Sequence, residues 1–488
     1  MEIKNYAGGG ASVIKKTLKA WRPGHYSAKT EVDRNLTLLR ARAADLVKNS
    51  PIGAAAIDTM LTGVIGSGLK LYPRIKTATL GLSGESAREW ARHTKEEFEL
   101  WATNALSCDF LRRNNFAELQ RITFASYLTD GDSFCLFRRR LPTLSNPYSL
   151  RLQIIEAGRV SNPNGIGDGV EVKRGDNRII NGIEVDRAGA LSAIWIANRY
   201  WNEPSKNPEL KWQRVRWYGR DTGCRNVLMI ANDTRPDMNR GVPLLAPVIE
   251  SIKQVSRYAD AELSAAIVRS FFSVFFTQQG NLGVHDVLGA ERHNEPCVDV
   301  SEYQLGSATM AALPPFVDVK AISSQAAQNV FDAFIGTFIK QIGAALGIPY
   351  EVLMKSFNAS YSASRAALLQ AADTFRQRRA AFIHDFLQPI YEAWLSEAVA
   401  IGRIDAPGFD DPLRRQGWLA ADWLCETTHA LDSLKEAQAM QLKLANGLST
   451  YRKELAENVG VDFDEVIETL TQERAMLRTV LDNRGAGD

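Results

Sequence analysis

Residues 241–278, GVPLLAPVIESIKQVSRYADAELSAAIVRSFFSVFFTQ, decide the fold of this chain because they predict one unusually long helix. Apolar residues recur in steps of three and four, as at Val248, Ile252 and Val255, which marks one face of a helix. About 30 residues with a rise of about 1.5 Å each make a rod of roughly 45 Å. Charges along its whole length argue against a membrane span, which needs about 20 nearly uncharged residues. The stretch therefore predicts a long strut outside a membrane.

The charge balance limits the partners that the chain can hold tightly. Its 488 residues contain 58 Lys and Arg against 56 Asp and Glu, a net charge of +2. Proteins that grip nucleic acid without sequence preference are usually more basic, so we expect any contact with a polyanion to be local or loose. The length suffices for two to four domains or subdomains.

The cysteines and the N-terminus favour a reducing compartment. Five cysteines are scattered without a C-x-x-C pair, a pattern typical of buried thiols in a cytosolic protein. Residues 1–34 lack the apolar core of a secretory signal. We therefore predict a flexible N-terminal arm there.

The first quarter of the chain is predicted to be helical. Asn35 is a candidate N-cap, and Ser50 followed by Pro51 has the pattern of a cap and a first helical residue. Ser86 and Asn115 each stand three residues before a glutamate, the pattern of a capping box. Several helices should therefore precede the strands.

The middle of the chain, from a turn at 129–132 to about residue 230, has the alternation of β-strands. LRLQIIE (150–156) alternates apolar and polar residues, and the runs GIEV (182–185) and LSAIWIA (191–197) flank a turn. A β-rich part between two helical parts predicts an α+β fold that is mainly helical.

Helical patterns return after the strut. A second long helix should end at Gly347, and a third should run from Ser364 to about Gly402 with a bend at Pro389. Residues 279–322 lack helical periodicity, which indicates a small α/β excursion or a functional loop. The last helices are predicted to begin at three capping residues, Asp432, Ser449 and Asp462.

The sequence contains few motifs that indicate catalysis, phosphate binding or metal binding. The phosphate-binding G-x-x-x-x-G-K-[ST], the nucleophile elbow G-x-S-x-G and the zinc-binding H-E-x-x-H are all absent. Asp130 and Asp132 would share one face of a strand and could hold a divalent ion, yet a turn built from Asp and Gly explains them better. His285 and His293, near Cys297, match no standard zinc spacing. We therefore predict no catalytic residue, no cofactor and no metal site.

Two basic clusters have two interpretations. One is the run RRR at 138–140, and the other groups Arg376, Arg378 and Arg379. Such clusters are most often solvated faces or ion-pair partners, and contact with nucleic acid or a neighbouring subunit is the alternative.

Six stretches, in the same order, resemble the portal protein family of lambda-like tailed bacteriophages. The most specific is LGIPYEVLMKSFNASYSASRAALL (346–369), in which Tyr361, Ser362, Ser364 and Arg365 resemble the family's tyrosine–serine–serine–alanine–arginine signature with its small residues reordered. The resemblance runs from residue 35 to 475 and includes five further stretches: KNSPIGAAAIDTMLTGVIGSGLKLYP (48–73), YLTDGDSFCLF (127–137), LQIIEAGRV (152–160), NGIEVDRAGALSAIWI (181–196) and RGVPLLAPVIESIKQVSRYADAELSAA (240–266).

The resemblance implies a ring of about twelve subunits at one vertex of the phage head. It implies that the large subunit of a separate terminase motor packages double-stranded DNA through the central channel, and that the genome later leaves through it. Other implied partners are the major capsid and scaffold proteins and the head–tail completion proteins. The implied location is the portal vertex of the virion, with the host cytoplasm during assembly and no membrane.

The resemblance further implies the parts that portal proteins share, which are a wing, a stem of long helices, a clip and a helical crown. In chain order the implied boundaries are a flexible arm at 1–34, the wing at 35–240 with a helical start and a β-rich middle, the first stem helix at 241–278, the clip and connecting segment at 279–322, a second stem or wing helix at 323–347, wing–crown helices with a linker at 348–430, and crown helices with a frayed tail at 431–488.

Three basic residues on the implied first stem helix, Lys253, Arg257 and Arg269, are candidate contacts with DNA in the channel. Weak contact suits a channel, because each phosphate that is neutralised adds affinity that would slow passage. The alternative is that these residues form ion pairs between neighbouring struts. Two other functions stay open: a metal-dependent nuclease of the phage head that uses Asp130 and Asp132, and a capsid structural protein without a channel.

Overall fold

A computed structural model describes most of the chain. The described residues are 24–144, 146–166, 170–200, 203, 209–271, 275–278, 317–320, 328–357, 360–425 and 433–485. They form two compact units, of which the larger joins the residues up to 247 to those from 346 onward, and the smaller spans 248–345. The smaller unit is thus an insertion into the larger one. Most of the implied clip lies outside the described residues.

In chain order, helices precede and follow a β-rich part. They are α1 (Lys29–Asp33, a π-helical turn), α2 (Leu36–Asn49), α3 (Pro51–Val64), α4 (Thr77–Leu80), α5 (Gly84–Ala102), α6 (Ala105–Cys108), α7 (Phe116–Asp130), α8 (Ile249–Phe271), α9 (Gln328–Leu346), α10 (Tyr350–Leu353), α11 (Tyr361–Phe382), α12 (Gln388–Ala400), α13 (Pro412–Trp418), α14 (Ser433–Ala445), α15 (Tyr451–Asn458) and α16 (Phe463–Gly485).

The strands are short. They are β1 (Lys70–Pro73), β2 (Asp132–Arg139), β3 (Leu150–Ile155), β4 (Val172–Arg174), β5 (Asn177–Ile180), β6 (Ile183–Val185), β7 (Leu191–Ala197), β8 (Trp212–Arg216), β9 (Val227–Ala231), β10 (Phe275–Gln278), β11 (Val317–Lys320) and β12 (Ala421–Leu424). The predicted α+β class is confirmed, since β2 to β9 interrupt two helical parts.

Antiparallel pairing joins the described strands into small sheets. One has the order β3–β2–β9 and another is the meander β4–β5–β6–β7–β8, while β1 pairs with β12 and β10 with β11. The two larger sheets share an apolar cluster that includes Phe134, Ile183, Ile194 and Val227. The predicted strands at 182–185 and 191–197 are therefore confirmed, with Ile183 and Ile194 facing the core.

Aromatic side chains fill the core of the helical part. Phe98 of α5 meets Trp394 of α12 edge to face, with ring centroids 5.1 Å apart, and also contacts Trp101, Phe116 and Trp423. Trp394 and Trp101 are fully buried. Residues before and after the strands thus build one core, which explains why both belong to the larger unit.

Several predicted helix starts are confirmed by their caps. The Ser50 hydroxyl accepts a hydrogen bond from the backbone N–H of Gly53, and Pro51 is the first residue of α3. Asn115 and Glu118 form the predicted capping box of α7. Asp462 precedes α16 and accepts a hydrogen bond from the backbone of the second following residue.

Two predicted caps are wrong by one or a few residues. Ser83, not Ser86, caps α5, and Thr450, not Ser449, caps α15. In both cases the capping residue has the extended backbone that lets its hydroxyl turn back to an N–H three residues on. Asn35 precedes α2 as predicted, but its side chain bonds to α1 instead of capping.

Part of the predicted N-terminal arm is folded. Residues 1–23 lie outside the described part of the chain, whereas α1 is folded and Ala28 and Asp33 are buried. Asn181 donates a 3.0 Å hydrogen bond to the Asp33 carboxylate, which attaches this end to the β-rich part.

The helix predicted over 241–278 is shorter than expected. The helix α8 has 23 residues and follows a 3₁₀ turn at Ala246–Val248. Pro243 and Pro247 fix the backbone before it and lack the N–H that a continuing helix needs. At its other end the aromatic run FFSVFF (271–276) favours a strand, and β10 pairs with β11.

The third predicted helix begins earlier and is interrupted. It starts at Tyr361 instead of Ser364, because Ser360 supplies the cap. A π-helical turn at Ile383–Leu387 separates α11 from α12, so the interruption lies just before the proline that was predicted to bend it. The second long helix ends as predicted, with Gly347 in the left-handed region at φ +72°.

Candidate functional site

The smaller unit pairs two helices through aromatic side chains. Tyr258 of α8 stacks on Phe331 of α9 with ring centroids 5.5 Å apart, and it contacts Phe334 at 4.7 Å. Further along, the chain enters the β10–β11 pair. These two contacts mean that the chain runs out along α8 and returns along α9.

Lys253 and Arg257 lie on one exposed stripe of α8. Residues four apart face the same way, and Asp260 continues the stripe. All three are exposed, and within the described part of the chain neither basic residue forms an ion pair or a side-chain hydrogen bond. The stripe thus carries mixed charge, which suits a weak contact with a polyanion.

Arg269 is not part of this stripe. At about 100° per residue, its position on a straight helix lies roughly 160° from that of Lys253 and roughly 120° from that of Arg257. The structure places it in the last turn of α8. The three predicted contacts therefore do not form one surface on a single subunit.

The paired helices also expose apolar side chains. Leu263 of α8 is 62% exposed, and Ile267 and Phe334 are 49% and 41% exposed. Large apolar groups exposed on paired helices are typical of a surface that another chain covers. This exposed apolar stripe is the main candidate contact between subunits.

The four signature residues organise the start of α11. Arg365 donates a 3.2 Å hydrogen bond to the Tyr361 hydroxyl and lies 3.7 Å from the Glu436 carboxylate on α14. Ser364 is buried, and Ser362 bonds to the hydroxyl of the capping serine. The signature therefore connects α11 to the C-terminal helices within one chain.

A buried arginine that the sequence analysis missed lies shortly before the smaller unit. Arg240 donates two hydrogen bonds of 2.7 and 3.0 Å to the Asp132 carboxylate. Its other three donors reach the carbonyl oxygens of Ala157, Val160 and Asn181. All five N–H donors of the guanidinium are used, and Arg240 is only 1% exposed.

The Asp132 carboxylate also accepts hydrogen bonds from other parts of the chain. Arg40 donates to it at 2.8 Å and the backbone N–H of Gly241 at 3.1 Å. Burial alone would raise the pKa of Asp132, but the charges of Arg240 and Arg40 outweigh it and hold that pKa below its usual value. The carboxylate thus ties α2, β2 and the segment at 240–241 together.

A close backbone approach accompanies this ion pair. A Cβ at Gly241 would lie 1.9 Å from the carbonyl oxygen of Gly131, so no side chain fits there. Gly131 itself has φ +90°, a conformation that glycine adopts without strain. The two glycines let the chain pass directly over the end of α7.

The nuclease hypothesis finds no support in this geometry. Asp130 ends α7 and Asp132 begins β2, so they do not share a strand face, and two arginines occupy the Asp132 carboxylate. No group of three or more His, Cys, Asp and Glu is arranged to hold a metal ion among the described residues. His285, His293 and Cys297 lie outside those residues.

Asp130 makes stability depend on pH. Burial raises the pKa of its carboxyl to about 6, with Asp132 adding to the rise and Arg40 opposing it. The folded state therefore favours the protonated form, and the cost of ionisation grows as the pH rises from 3.8 toward 6. We expect Asp130→Asn to raise the free energy of unfolding by about 3 kcal/mol at pH 7.5 and by only about 1 kcal/mol at pH 4.5.

Urea denaturation at the two pH values measures this difference. Asp45→Asn, which makes the same substitution at an exposed position on α2, is the matched control. An equal gain for Asp130→Asn at both pH values would contradict the expectation.

The two basic clusters are largely engaged within the larger unit. Arg139 pairs with Glu397, and Arg376 with the aspartate three residues before it. Arg379 donates two hydrogen bonds to backbone carbonyls at the end of α3. The ion-pair interpretation is thus confirmed for Arg139 and Arg376.

The four cysteines within the described residues follow the prediction with one exception. Cys108, Cys135 and Cys425 are buried, and burial raises the pKa of Cys108 to about 12. Cys224 is exposed, because it belongs to the turn after β8. In the described part of the chain, no helix combines the length and the apolar character needed to cross a membrane.

Comparisons with known proteins agree on one family. The family model described as phage portal protein, lambda family, matches residues 15–379. Portal protein B of Escherichia phage lambda is 25% identical over 508 residues, which cover 99% of this chain and 91% of that protein. The portal protein of Escherichia phage N15 is 24% identical over 510 residues, with 99% and 92% covered.

Solved structures of particle necks are also similar. The neck of a native gene transfer agent particle computed with C12 symmetry has a TM-score of 0.44 and 13% identity, covering 86% of this chain and 92% of that one. The neck of an empty particle computed with C6 symmetry has a TM-score of 0.43 and 13% identity, covering 85% and 92%.

Proposed function

This chain belongs to the lambda family of phage portal proteins, and we propose that about twelve copies of it form a ring that conducts double-stranded DNA. As a portal protein it forms the channel at a vertex of the phage capsid and is part of the virion. This role is structural, and we propose that the protein catalyses no reaction. The large subunit of a terminase would supply the energy for packaging, and the same channel would release the genome.

One observation carries the ring proposal, which is the exposed apolar stripe of the smaller unit. Leu263 of α8 is 62% exposed, and Phe334 of the paired helix α9 is 41% exposed. Struts standing side by side around a bore would cover such side chains, and repetition of one contact by rotation closes a ring. In this proposal α8 and α9 are the stem helices.

The charge pattern supports passage of DNA without tight binding. The net charge is +2 for 488 residues, and the stripe of Lys253 and Arg257 also contains Asp260. Each phosphate that a protein neutralises adds salt-dependent affinity, so a mixed stripe holds DNA loosely. We propose that this stripe faces the bore and that Arg269 faces a neighbouring subunit.

Charge reversal tests that orientation. We expect Lys253→Glu with Arg257→Glu to lower the packaging rate and the retention of DNA by roughly twofold to fivefold, because repulsion replaces a weak attraction to phosphates. Packaged DNA per head, measured with a nuclease-protection assay, gives the result. Lys253→Arg with Arg257→Lys is the control that keeps the charge. Unchanged packaging in the reversed variant would contradict the orientation, and Arg269→Glu alone should affect ring stability more than packaging.

The remaining partners follow from the family. We propose contacts with the major capsid and scaffold proteins through the larger unit and with the terminase and head–tail completion proteins through a clip within 279–322. Assembly in the host cytoplasm would precede incorporation into the virion. The implied wing, stem, clip and crown boundaries stay predictions.

Electron microscopy of the purified full-length protein tests the proposed function directly. Class averages should contain rings with a central hole and about twelve-fold symmetry. A monomer at every concentration, or an assembly without a hole, would contradict the proposal, and the latter would favour a capsid structural protein without a channel. Magnesium-dependent cleavage of DNA by the purified protein, lost in Asp132→Asn, would favour the nuclease.

A further inference from the structure

Four exposed leucines gather on two neighbouring loops of the larger unit. Two lie between α5 and α7, two lie in the connection from β2 to β3, and each is more than half exposed. The Asn146 amide of one loop donates to the carbonyl oxygen of Leu106 in the other at 3.4 Å, and Arg140 donates to that of Phe110 at 3.0 Å. The leucine–arginine patch consists of Leu106, Leu111, Leu141 and Leu144 together with Arg112 and Arg140.

The patch carries positive charge without a compensating carboxylate. Arg140 lies over the Phe110 ring at 4.6 Å, and Arg112 is exposed. In the described part of the chain neither pairs with an acidic side chain. The patch therefore combines an apolar surface with two guanidinium groups that form no ion pair among the described residues.

A buried arginine beneath the patch adds to this charge. Arg151 is 3% exposed and bonds two backbone carbonyls at 2.8 Å, while its Nε finds no hydrogen-bond partner. Burial lowers the pKa of Arg151, the charge of Glu397 opposes this, and the nearby charges of Arg140 and Arg112 add to the lowering. Two further cations near a buried cation are unfavourable, so an external negative charge at this surface would stabilise the fold.

The nearest acidic groups are already engaged. The Asp109 carboxylate accepts hydrogen bonds from three backbone N–H groups of its own loop, at 2.8 to 3.1 Å. The Glu397 carboxylate pairs with Arg139 and accepts from two backbone N–H groups at the start of β3. Neither is available to Arg112 or Arg140.

We propose that the leucine–arginine patch binds an acidic amphipathic helix of another protein of the phage head, an inference that rests on the proposed function as a portal. Apolar residues along one side of that helix cover the four leucines, and its carboxylates pair with Arg112 and Arg140. A helix with one apolar side and acidic flanks matches both features, whereas a neutral or basic partner would bury these cations unpaired.

Site-specific photo-crosslinking in cells that assemble the phage tests this binding. Leu144→p-benzoylphenylalanine in the full-length protein should give an adduct with an Asp- and Glu-rich helical segment of another head protein, identified by mass spectrometry. The control carries the same amino acid at Leu413, which is 66% exposed on α13, outside the patch. We expect at least about tenfold less adduct at Leu413, and about tenfold less at Leu144 when Arg112→Glu and Arg140→Glu are added.

Three outcomes would overturn the proposal. They are an adduct with a second copy of this chain, an adduct with a segment that lacks acidic residues, and no adduct above the Leu413 control. If the variant with both arginines changed to glutamate formed as much adduct, the two arginines would play no part in the binding, which would contradict the proposal. Ring images from the same preparation report on the proposed function separately, so a failure of the patch and a failure of the portal assignment are distinguishable.

Discussion

Arg240→Ala is expected to lower the free energy of unfolding of the larger unit by about 3–5 kcal/mol. The change leaves the fully buried Asp132 carboxylate with one arginine instead of two, and three carbonyl oxygens of buried residues each lose one donor. Breaking one side of a buried pair costs far more than losing an exposed one, because the remaining charge stays out of water. The midpoint of the first urea transition, followed by tryptophan fluorescence, measures the loss.

Arg187→Ala is the matched control for this prediction. Arg187 pairs with Asp176 on the surface, where the two side chains are 77% and 70% exposed. Exposed pairs contribute about 0–1 kcal/mol, so the control should hardly shift the transition. Similar losses in the two variants would mean that the buried pair stabilises no more than a surface pair does.

Leu263→Asp is expected to abolish ring formation while leaving each subunit folded. The side chain is 62% exposed in one chain, so aspartate costs little there. Once neighbouring struts cover the position, a buried and unpaired carboxylate costs at least about 2 kcal/mol at every contact around the ring. At about 1.4 kcal/mol per tenfold, each contact weakens more than tenfold and the ring does not close. Mass photometry and electron microscopy count the rings.

Ala261→Asp is the control for the ring. It adds the same charge to the same helix two residues earlier, at an exposed position that lies roughly 160° around the helix from Leu263. Rings should persist in this variant, and circular dichroism should report equal helix content in both. Intact rings of the Leu263→Asp protein would exclude this stripe as the contact between struts.

Features with local causes were predictable from the sequence. Ser50 and Asn115 cap helices because their own side chains reach N–H groups three residues away, and the short apolar runs at 182–185 and 191–197 correctly predicted two strands. The order of six family-like stretches identified the family. Local ambiguity explains the errors, since Ser83 and Ser86 both suit a cap and only the backbone conformation decides between them.

Contacts between distant parts of the chain were not predictable in this way. Arg240 and Asp132 are 108 residues apart, and nothing around either residue signals the other. The separation of Arg269 from Lys253, in contrast, was predictable from the sequence. Counting helical turns already places the two residues on different faces of a helix. The leucine–arginine patch also required the structure, since its two loops are about 30 residues apart in sequence.

The insertion of the smaller unit between residues 247 and 346 has a consequence for how such proteins diversify. The larger unit must bring together the two ends of the inserted segment, and the entropy lost in doing so rises only with the logarithm of the segment's length. Doubling that length therefore lowers the free energy of unfolding by only about 0.6 kcal/mol. Natural variation can therefore lengthen or shorten this inserted segment while the rest of the chain keeps its fold.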